Sequence, residues 1–307
     1  MMNTELNRID TEQRNPLTAK IDTLTTLEMA SLINAEDHHC AEAVQKVLPE
    51  IARSIDLIYE KIRTGGRLFY CGAGTSGRLG ILDAAECPPT YGVDPGMVVA
   101  LIAGGPGAML KAVERSEDNA EMGKQDLIDH QFSSKDALVG IAASGRTPYV
   151  IGAMDYARSL CAPVMALTCC RDSVMSRHAD VTMAPIPGPE VITGSSRMKS
   201  GTCQKLVLNM ISTCVMIKLG KVYGNLMVDL KATNEKLVHR AVSIVRQAAD
   251  VEEAEARQAL EQCGYACKTA IVMLLLGLDA REAESVLASA DGRIAQAVTR
   301  ARESGGI

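Results

Sequence analysis

Short apolar runs alternate with helical patterns through the middle of the chain. Glycine, proline or polar residues bound each run, which is typical of buried strands. The predicted strands lie at 67–71, 97–103, 137–143, 163–168 and 181–185. Helical or loop segments separate them, as in a parallel sheet that is covered on both faces. The pattern therefore predicts an α/β fold built on one doubly wound parallel sheet.

Helical patterns flank the predicted sheet on both sides. Before the sheet, apolar residues at helical spacing predict one helix over 17–35 and a second that reaches Gly65. After the sheet, helices are expected at about 234–249, 252–263, 266–276, 280–289 and 292–302. We therefore predict an N-terminal helical segment, a sheet domain and a C-terminal helical subdomain, at 1–57, 58–221 and 222–307.

A glycine-rich turn, residues 72–74, follows the first predicted strand. Thr75, Ser76 and Gly77 open the next helix, which is expected to end at Glu86 ahead of a proline pair. Small residues allow close backbone approach to a ligand, and the amides at a helix N-terminus attract anions. The spacing is neither that of a nucleoside-triphosphate loop nor a standard GxGxxG turn. Binding of a phosphorylated small molecule is the functional interpretation, and an ordinary tight turn is the alternative.

Two further hydroxyl-rich loops follow later strands, ASGRTP at 143–148 and GSSRMKSGT at 194–202. Their candidate ligand residues are Ser144, Gly145, Arg146, Thr147, Ser195, Ser196 and Lys199. One such turn would most often be a helix cap, but three in one sheet favour a shared phosphosugar. Arg146 and Lys199 have the alternative of pairing structurally with a carboxylate such as Glu190, which is itself a candidate for substrate binding.

Composition and charge limit the other possibilities. The chain has 307 residues, 47% of them hydrophobic, and a formal net charge of −5, which argues against binding to nucleic acid. Its ten cysteines include no C-x-x-C pair, so they are expected to be core residues in a reducing cytoplasm. The polar N-terminus does not resemble a signal peptide, and no apolar run reaches the roughly 18 residues of a membrane helix. We expect a cytoplasmic protein with no metal, cofactor or membrane partner.

The three loops and the sequence around them resemble a known family. GAGTSGR, ASGRTPY and GSSRMKSGT are similar to the ligand loops of the sugar isomerase (SIS) domain. Longer runs, such as GAGTSGRLGILDAAECPPTYG and GKVYGNLMVDLKATNEKL, resemble the bacterial N-acetylmuramic acid 6-phosphate etherases. The resemblance implies a SIS domain of flavodoxin-like topology and a C-terminal bundle similar to ubiquitin-associated domains. It also implies a homodimer with its sites near the interface.

The same resemblance implies a reaction, cleavage of the D-lactyl ether at C3 of N-acetylmuramic acid 6-phosphate. The products would be N-acetylglucosamine 6-phosphate and D-lactate, in the recycling of cell-wall amino sugars. In the open-chain sugar, C2–H lies alpha to the aldehyde, so elimination followed by water addition needs only proton transfers. No metal or cofactor is implied.

Two glutamates occupy the family's catalytic positions. Glu86, in AAECPP, is the expected proton donor, and Glu117, in VERSEDN, is the expected base. A carboxylate is disfavoured at the carbonyl end of a helix, which suits Glu86 to proton donation if its helix ends there. Asp83 and Glu114 lie three residues before these glutamates on the same expected helix faces, and they are the alternatives.

Other protein classes share these loops. A non-catalytic regulator that binds phosphosugars, such as the glucokinase regulatory protein, should lack a working glutamate pair. A phosphosugar aldose-ketose isomerase also abstracts a C2 proton, but it needs no acid for a leaving group at C3. A sugar-responsive transcription regulator is disfavoured, because the 57 residues before the sheet domain show no basic recognition helix.

Overall fold

The computed structural model describes residues 10–111, 113, 115–230 and 234–303. The chain divides into two compact units. The first unit comprises Met1–Ala84 and Gly96–Ser212, and the second comprises Ala85–Pro95 and Thr213–Ile307. The N-terminal helices therefore belong to the same unit as the sheet, while a short segment before the second strand belongs with the C-terminal helices.

A five-stranded parallel sheet forms the centre of the first unit, in the order β2-β1-β3-β4-β5. The strands are β1 Leu68–Gly72, β2 Val98–Ile102, β3 Ala137–Ile141, β4 Val164–Leu167 and β5 Val181–Met183. Every residue of β1, β3 and β4 is buried, as expected of strands that helices cover on both faces. All five strands lie where the apolar runs predicted them, and the doubly wound fold is confirmed.

Among the described residues, six α-helices begin in the first unit. They are α1 Thr26–Gln45, α2 Leu48–Ile62, α3 Gly74–Tyr91, α4 Ala120–Asp129, α5 Pro148–Ser159 and α6 Lys199–Lys218. The predicted helix at 17–35 was wrong in its bounds. A capping box formed by Thr25 and Glu28 begins α1. The break between α1 and α2 is at residues 46–47, just before Pro49 in the first turn of α2.

The end of α3 also differs from the prediction. The helix continues past Glu86 and through Pro88 and Pro89 to Tyr91. A proline inside a helix removes its own N–H donor and crowds the carbonyl four residues earlier, but its own carbonyl can still accept. The Gly92 amide donates to the Pro88 carbonyl at 2.9 Å, which completes the last turn. Glu86 is therefore not at the carbonyl end of the helix, and the dipole argument for its role does not apply.

The second unit is helical, as predicted. Its helices are α7 Glu235–Ala249, α8 Glu253–Gln262, α9 Cys267–Leu276, α10 Ala280–Ser289 and α11 Ile294–Glu303. Their buried apolar faces form one core, to which α9 contributes most of its length. The sequence did not predict the small antiparallel hairpin of β6 Val222–Tyr223 and β7 Leu226–Met227. Among the described residues, no single helix is long and apolar enough to cross a membrane; only α8 and α9 together, bent by 115°, reach that length and composition.

Candidate active site

The first loop joins β1 to α3 through a very close approach of the two elements. A Cβ at Gly72 would lie 2.7 Å from the Gly77 nitrogen, and a Cβ at Gly77 would lie 2.6 Å from the Ile102 side chain. These two positions therefore require glycine. Ser76 is buried in the first turn of α3, where backbone amides have no carbonyl partner within the helix. The loop thus combines a hydroxyl with amides suited to an anion.

The second loop joins β3 to α5. Gly145 has a positive φ of 63°, and a Cβ there would lie 2.3 Å from the Ser173 Cβ. The backbone can therefore make this turn only with glycine. Ser144 and Thr147 on either side are half-buried, and Arg146 is exposed. Thr147 is the N-cap of α5, but its side chain makes no capping hydrogen bond, so the hydroxyl suits a ligand.

The third loop leads into α6, and Ser195 and Ser196 are half-buried there. Glu190 is fully buried and accepts hydrogen bonds from the Lys199 and Ser200 amides, both at 2.9 Å. A carboxylate of the protein itself therefore caps the N-terminus of α6. The contacts observed for Glu190 are therefore structural, and its expected contact with the substrate stays a prediction.

Lys199 also has a structural partner. Its ammonium is 1% exposed, forms an ion pair with the Glu36 carboxylate and donates to the Pro187 carbonyl at 3.1 Å. Asn15 donates to the same Glu36 oxygen at 2.8 Å. Burial opposes ionisation of Glu36, but the hydrogen bond and charge of Lys199, with Asn15, outweigh burial and lower the Glu36 pKa. The alternative of a structural cation therefore describes Lys199, although its partner is Glu36 and not Glu190.

Contacts within the first unit bring the three loops together. Ser76 Oγ donates to Gln204 Oε1 on α6 at 3.0 Å, which joins the first loop to the helix of the third. The Cys169 amide donates to the Ala143 carbonyl at 2.9 Å, and its thiol lies 3.7 Å from the Ser200 carbonyl oxygen. Cys169 therefore connects the second loop to the same helix. The loops lie at the carboxyl edge of the sheet, where ligands of such folds bind.

Glu117 lies in the connection that follows β2. Glu117 is exposed. It belongs to a single turn of 3-10 helix, Ser116–Asp118, and not to the longer helix that was expected there. Arg78 of α3 donates to the Ala108 and Met109 carbonyls at 2.9 and 3.0 Å, and so fixes the start of this connection. No sequence pattern predicted these hydrogen bonds of Arg78. The alternative residue Glu114 lies outside the described residues.

Glu86 and its alternative Asp83 occupy different environments. Glu86 is exposed on α3 and belongs to the second unit, whereas Asp83 is buried in the first unit. Asp83 accepts hydrogen bonds from Tyr70 and Ser212, both at 3.0 Å, and from Asn209 at 2.8 Å. Burial raises the Asp83 pKa in spite of these bonds. Asp83 therefore joins α3 to the sheet and α6.

Comparison with known proteins gives the class of the first unit. The SIS domain model matches residues 117–213, and the glucokinase regulatory protein N-terminal SIS domain model matches residues 50–158. The model of the C-terminal lid domain of glucokinase regulatory protein matches residues 224–270. A Bacteroides fragilis crystal structure, a proposed phosphosugar isomerase involved in capsule formation, shares the fold, with a TM-score of 0.50 and 17% identity over 66% of this chain and 95% of that chain. The first unit is a SIS domain.

Full-length relatives give the family. The N-acetylmuramic acid 6-phosphate etherase of Photorhabdus laumondii is 56% identical over 301 residues, which cover 98% of this chain and all of that protein. The etherase of Aliivibrio fischeri strain MJ11 is 57% identical over 298 residues, covering 97% and 99% of the two chains. That of Klebsiella aerogenes is 55% identical with the same coverage. The chain belongs to the N-acetylmuramic acid 6-phosphate etherase family.

Proposed function

We propose that this protein is a carbon-oxygen lyase that cleaves the D-lactyl ether of N-acetylmuramic acid 6-phosphate. The products are N-acetylglucosamine 6-phosphate and D-lactate, a reaction of amino-sugar recycling. The observation that carries the proposal is the identity of 55 to 57% to etherases over nearly the whole chain. The three loops at the carboxyl edge of the sheet support it, because they offer hydroxyls and amides to a phosphate.

The reaction proceeds by elimination and then addition. A base removes the C2 proton of the open-chain aldehyde, and the electron pair forms the C2–C3 double bond. The C3–O bond breaks as an acid protonates the departing lactate oxygen. Water then adds at C3 and a proton returns to C2. These steps need two groups that exchange protons, and carboxyl groups can serve in both roles.

We assign the base to Glu117 and the proton donor to Glu86. The assignment rests on the family resemblance. Both carboxyl groups are exposed in the described structure, so each is accessible to a substrate or to a neighbouring subunit. Asp83 is the weaker candidate, because its oxygens already accept three hydrogen bonds inside the first unit.

We assign the phosphate to the hydroxyls of Ser76, Ser144, Thr147 and Ser196 and to the amides around them. Thr75, Gly77, Gly145 and Ser195 contribute backbone to the same loops, and exposed Arg146 can supply charge from the rim. Glu190 and Lys199 stabilise the start of α6 in the third loop, because their polar atoms bind the protein itself.

We further infer a cytoplasmic homodimer. All ten cysteines are free thiols, which suits a reducing compartment. Leu110 is 91% exposed and Val113 is 45% exposed, in the connection that leads to Glu117. An apolar surface at this point suits a subunit contact beside the proposed base. Light scattering of the wild type and of Leu110→Asp tests this, since a dimer that forms elsewhere would not respond to the substitution.

Lactate release tests the proposed function. The protein, with EDTA present, should release D-lactate from N-acetylmuramic acid 6-phosphate, and it should act poorly on N-acetylmuramic acid. Interconversion of an aldose and a ketose phosphate without lactate would favour an isomerase. Tight binding of the phosphosugar without any lactate would favour a regulator. Either result would contradict the proposal.

A further inference from the structure

Gln204 makes an incomplete set of hydrogen bonds beside the first loop. Its side chain is 1% exposed, and its Oε1 accepts the Ser76 hydroxyl at 3.0 Å. Its Nε2 is buried and has no hydrogen-bond partner among the described residues. The Ser200 hydroxyl, one helical turn earlier, is also buried without a partner there. A buried donor without a partner is rare in native proteins, because its lost hydration is not replaced by another hydrogen bond.

In the same arrangement the Ser76 hydroxyl donates to Gln204 and not to its proposed ligand. A serine hydroxyl has one hydrogen to donate, and here it points to Gln204. Phosphate oxygens accept hydrogen bonds, so Ser76 cannot donate to a phosphate while it donates to Gln204. The oxygen and nitrogen of a carboxamide are nearly identical in size, and turning the amide by a half rotation exchanges them.

We infer that Gln204 is a positioning residue that sets the direction of the Ser76 hydroxyl. In the ligand-bound form Nε2 donates to Ser76 Oγ, and Ser76 donates its proton to the phosphate. The turn leaves a carbonyl oxygen as the incompletely bonded atom, which proteins tolerate more readily than an unpaired N–H. It also gains a charge-assisted hydrogen bond to the phosphate. This inference rests on the proposed function, since it assigns the phosphate to Ser76.

Substitutions at Gln204 separate this role from simple packing. Gln204→Glu places an ionised carboxylate, which only accepts, where the amide should donate, so Ser76 stays turned away from the phosphate. We expect KM for N-acetylmuramic acid 6-phosphate to rise by about 10-fold to 100-fold at pH 8, with a smaller change in kcat. Gln204→Met keeps the length and leaves the Ser76 hydroxyl able to rotate, so KM should rise by no more than about 10-fold.

The pH profile is the readout that a structural role would not produce. As pH falls, the introduced carboxylate gains a proton and can donate to Ser76 as the amide does. The KM ratio of Gln204→Glu to wild type, taken at each pH, should therefore fall towards one, while the ratio for Gln204→Met stays constant. In the Ser76→Ala background, the Gln204→Glu substitution should have a much smaller effect than it has alone.

Gln247→Glu is the matched control. Gln247 is exposed on α7 and donates from Nε2 to Ser243 Oγ at 3.0 Å, the direction that we infer for Gln204 in the ligand-bound form. The KM of Gln247→Glu should equal that of the wild type. The inference is overturned if Gln204→Glu has the KM of this control, or if its KM ratio does not change with pH.

Failure of the proposed etherase reaction can be distinguished from failure of the inference about Gln204. Absence of lactate from the wild type would refute the etherase reaction and not the inference. The dissociation constant of N-acetylglucosamine 6-phosphate, measured by calorimetry on the same variants, then decides it. The constant should rise in Gln204→Glu at pH 8 and recover at low pH. An unchanged constant would overturn the inference. Thermal unfolding of each variant identifies any that fail to fold.

Discussion

Replacing Lys199 with Met should destabilise the protein far more than it weakens substrate binding. The Lys199 ammonium is 1% exposed and its partner Glu36 is 4% exposed, so the ion pair is almost fully out of water. After the substitution the Glu36 carboxylate stays buried, and the Asn15 amide still donates to it at 2.8 Å. Removing one partner of a buried ion pair typically costs about 3 to 5 kcal/mol. We expect a loss of that size in the free energy of unfolding.

The loss should depend on pH with a definite sign. The Glu36 pKa is lowered in the folded protein, because Lys199 and Asn15 outweigh the effect of burial. A carboxyl group with a lowered pKa stabilises the fold above its unfolded pKa, and that contribution is lost as pH falls through the folded pKa. The wild type should therefore lose stability in acid more steeply than Lys199→Met. The difference between the two proteins should shrink as pH falls.

Urea unfolding at pH 7.5 and near pH 4 measures both effects. Lys199→Met combined with Glu36→Met should recover much of the loss, because no unpaired charge is then buried. Lys46→Met is the control. Lys46 is exposed and lines one cavity together with Glu36 and Lys199, and its substitution should change stability by less than about 0.5 kcal/mol. A Lys199→Met protein of nearly normal stability with a strongly raised KM would refute this reasoning. It would restore Lys199 as a ligand contact.

Four further substitutions test the site. Glu117→Gln should abolish both lactate release and exchange of the C2 hydrogen with solvent, whereas Glu86→Gln should stop lactate release but keep some exchange. The rate of lactate release should fall on the order of 100-fold to 10,000-fold in each variant. Exchange that survives only in Glu117→Gln would reverse the two roles. Ser144→Ala should weaken binding of the 6-phosphate by roughly 1 to 3 kcal/mol, and an unchanged KM would remove Ser144 from the site. Gly145→Ala should lower Tm and raise KM, because its Cβ would lie 2.3 Å from the Ser173 Cβ; normal values would show that the loop adapts.

The sheet could be predicted because its signal is local. Apolar runs between glycines and prolines located all five strands, and helical spacing located α7 to α11 to within one or two residues. The bounds of α1 were wrong because apolar spacing was weighed above the Thr25 cap and Pro49. The end of α3 was wrong because a proline pair was taken as a stop.

The pairing of polar side chains could not be predicted, because it depends on contacts between distant parts of the chain. Glu36 meets Lys199 across 163 residues, and Ser76 meets Gln204 across 128. Neither Glu36 nor Gln204 stands in a glycine-rich loop that would attract attention. Resemblance identified the loops and the glutamates. It did not indicate that the polar atoms of Glu190 and Lys199 bind the protein itself.

Isotope incorporation tests elimination and addition most directly. With N-acetylmuramic acid 6-phosphate in water labelled with both ¹⁸O and deuterium, mass spectrometry locates each label in the products. We expect ¹⁸O at C3 and deuterium at C2 of N-acetylglucosamine 6-phosphate, and D-lactate that keeps its unlabelled ether oxygen. ¹⁸O in the lactate, or a sugar product without deuterium at C2, would contradict the mechanism.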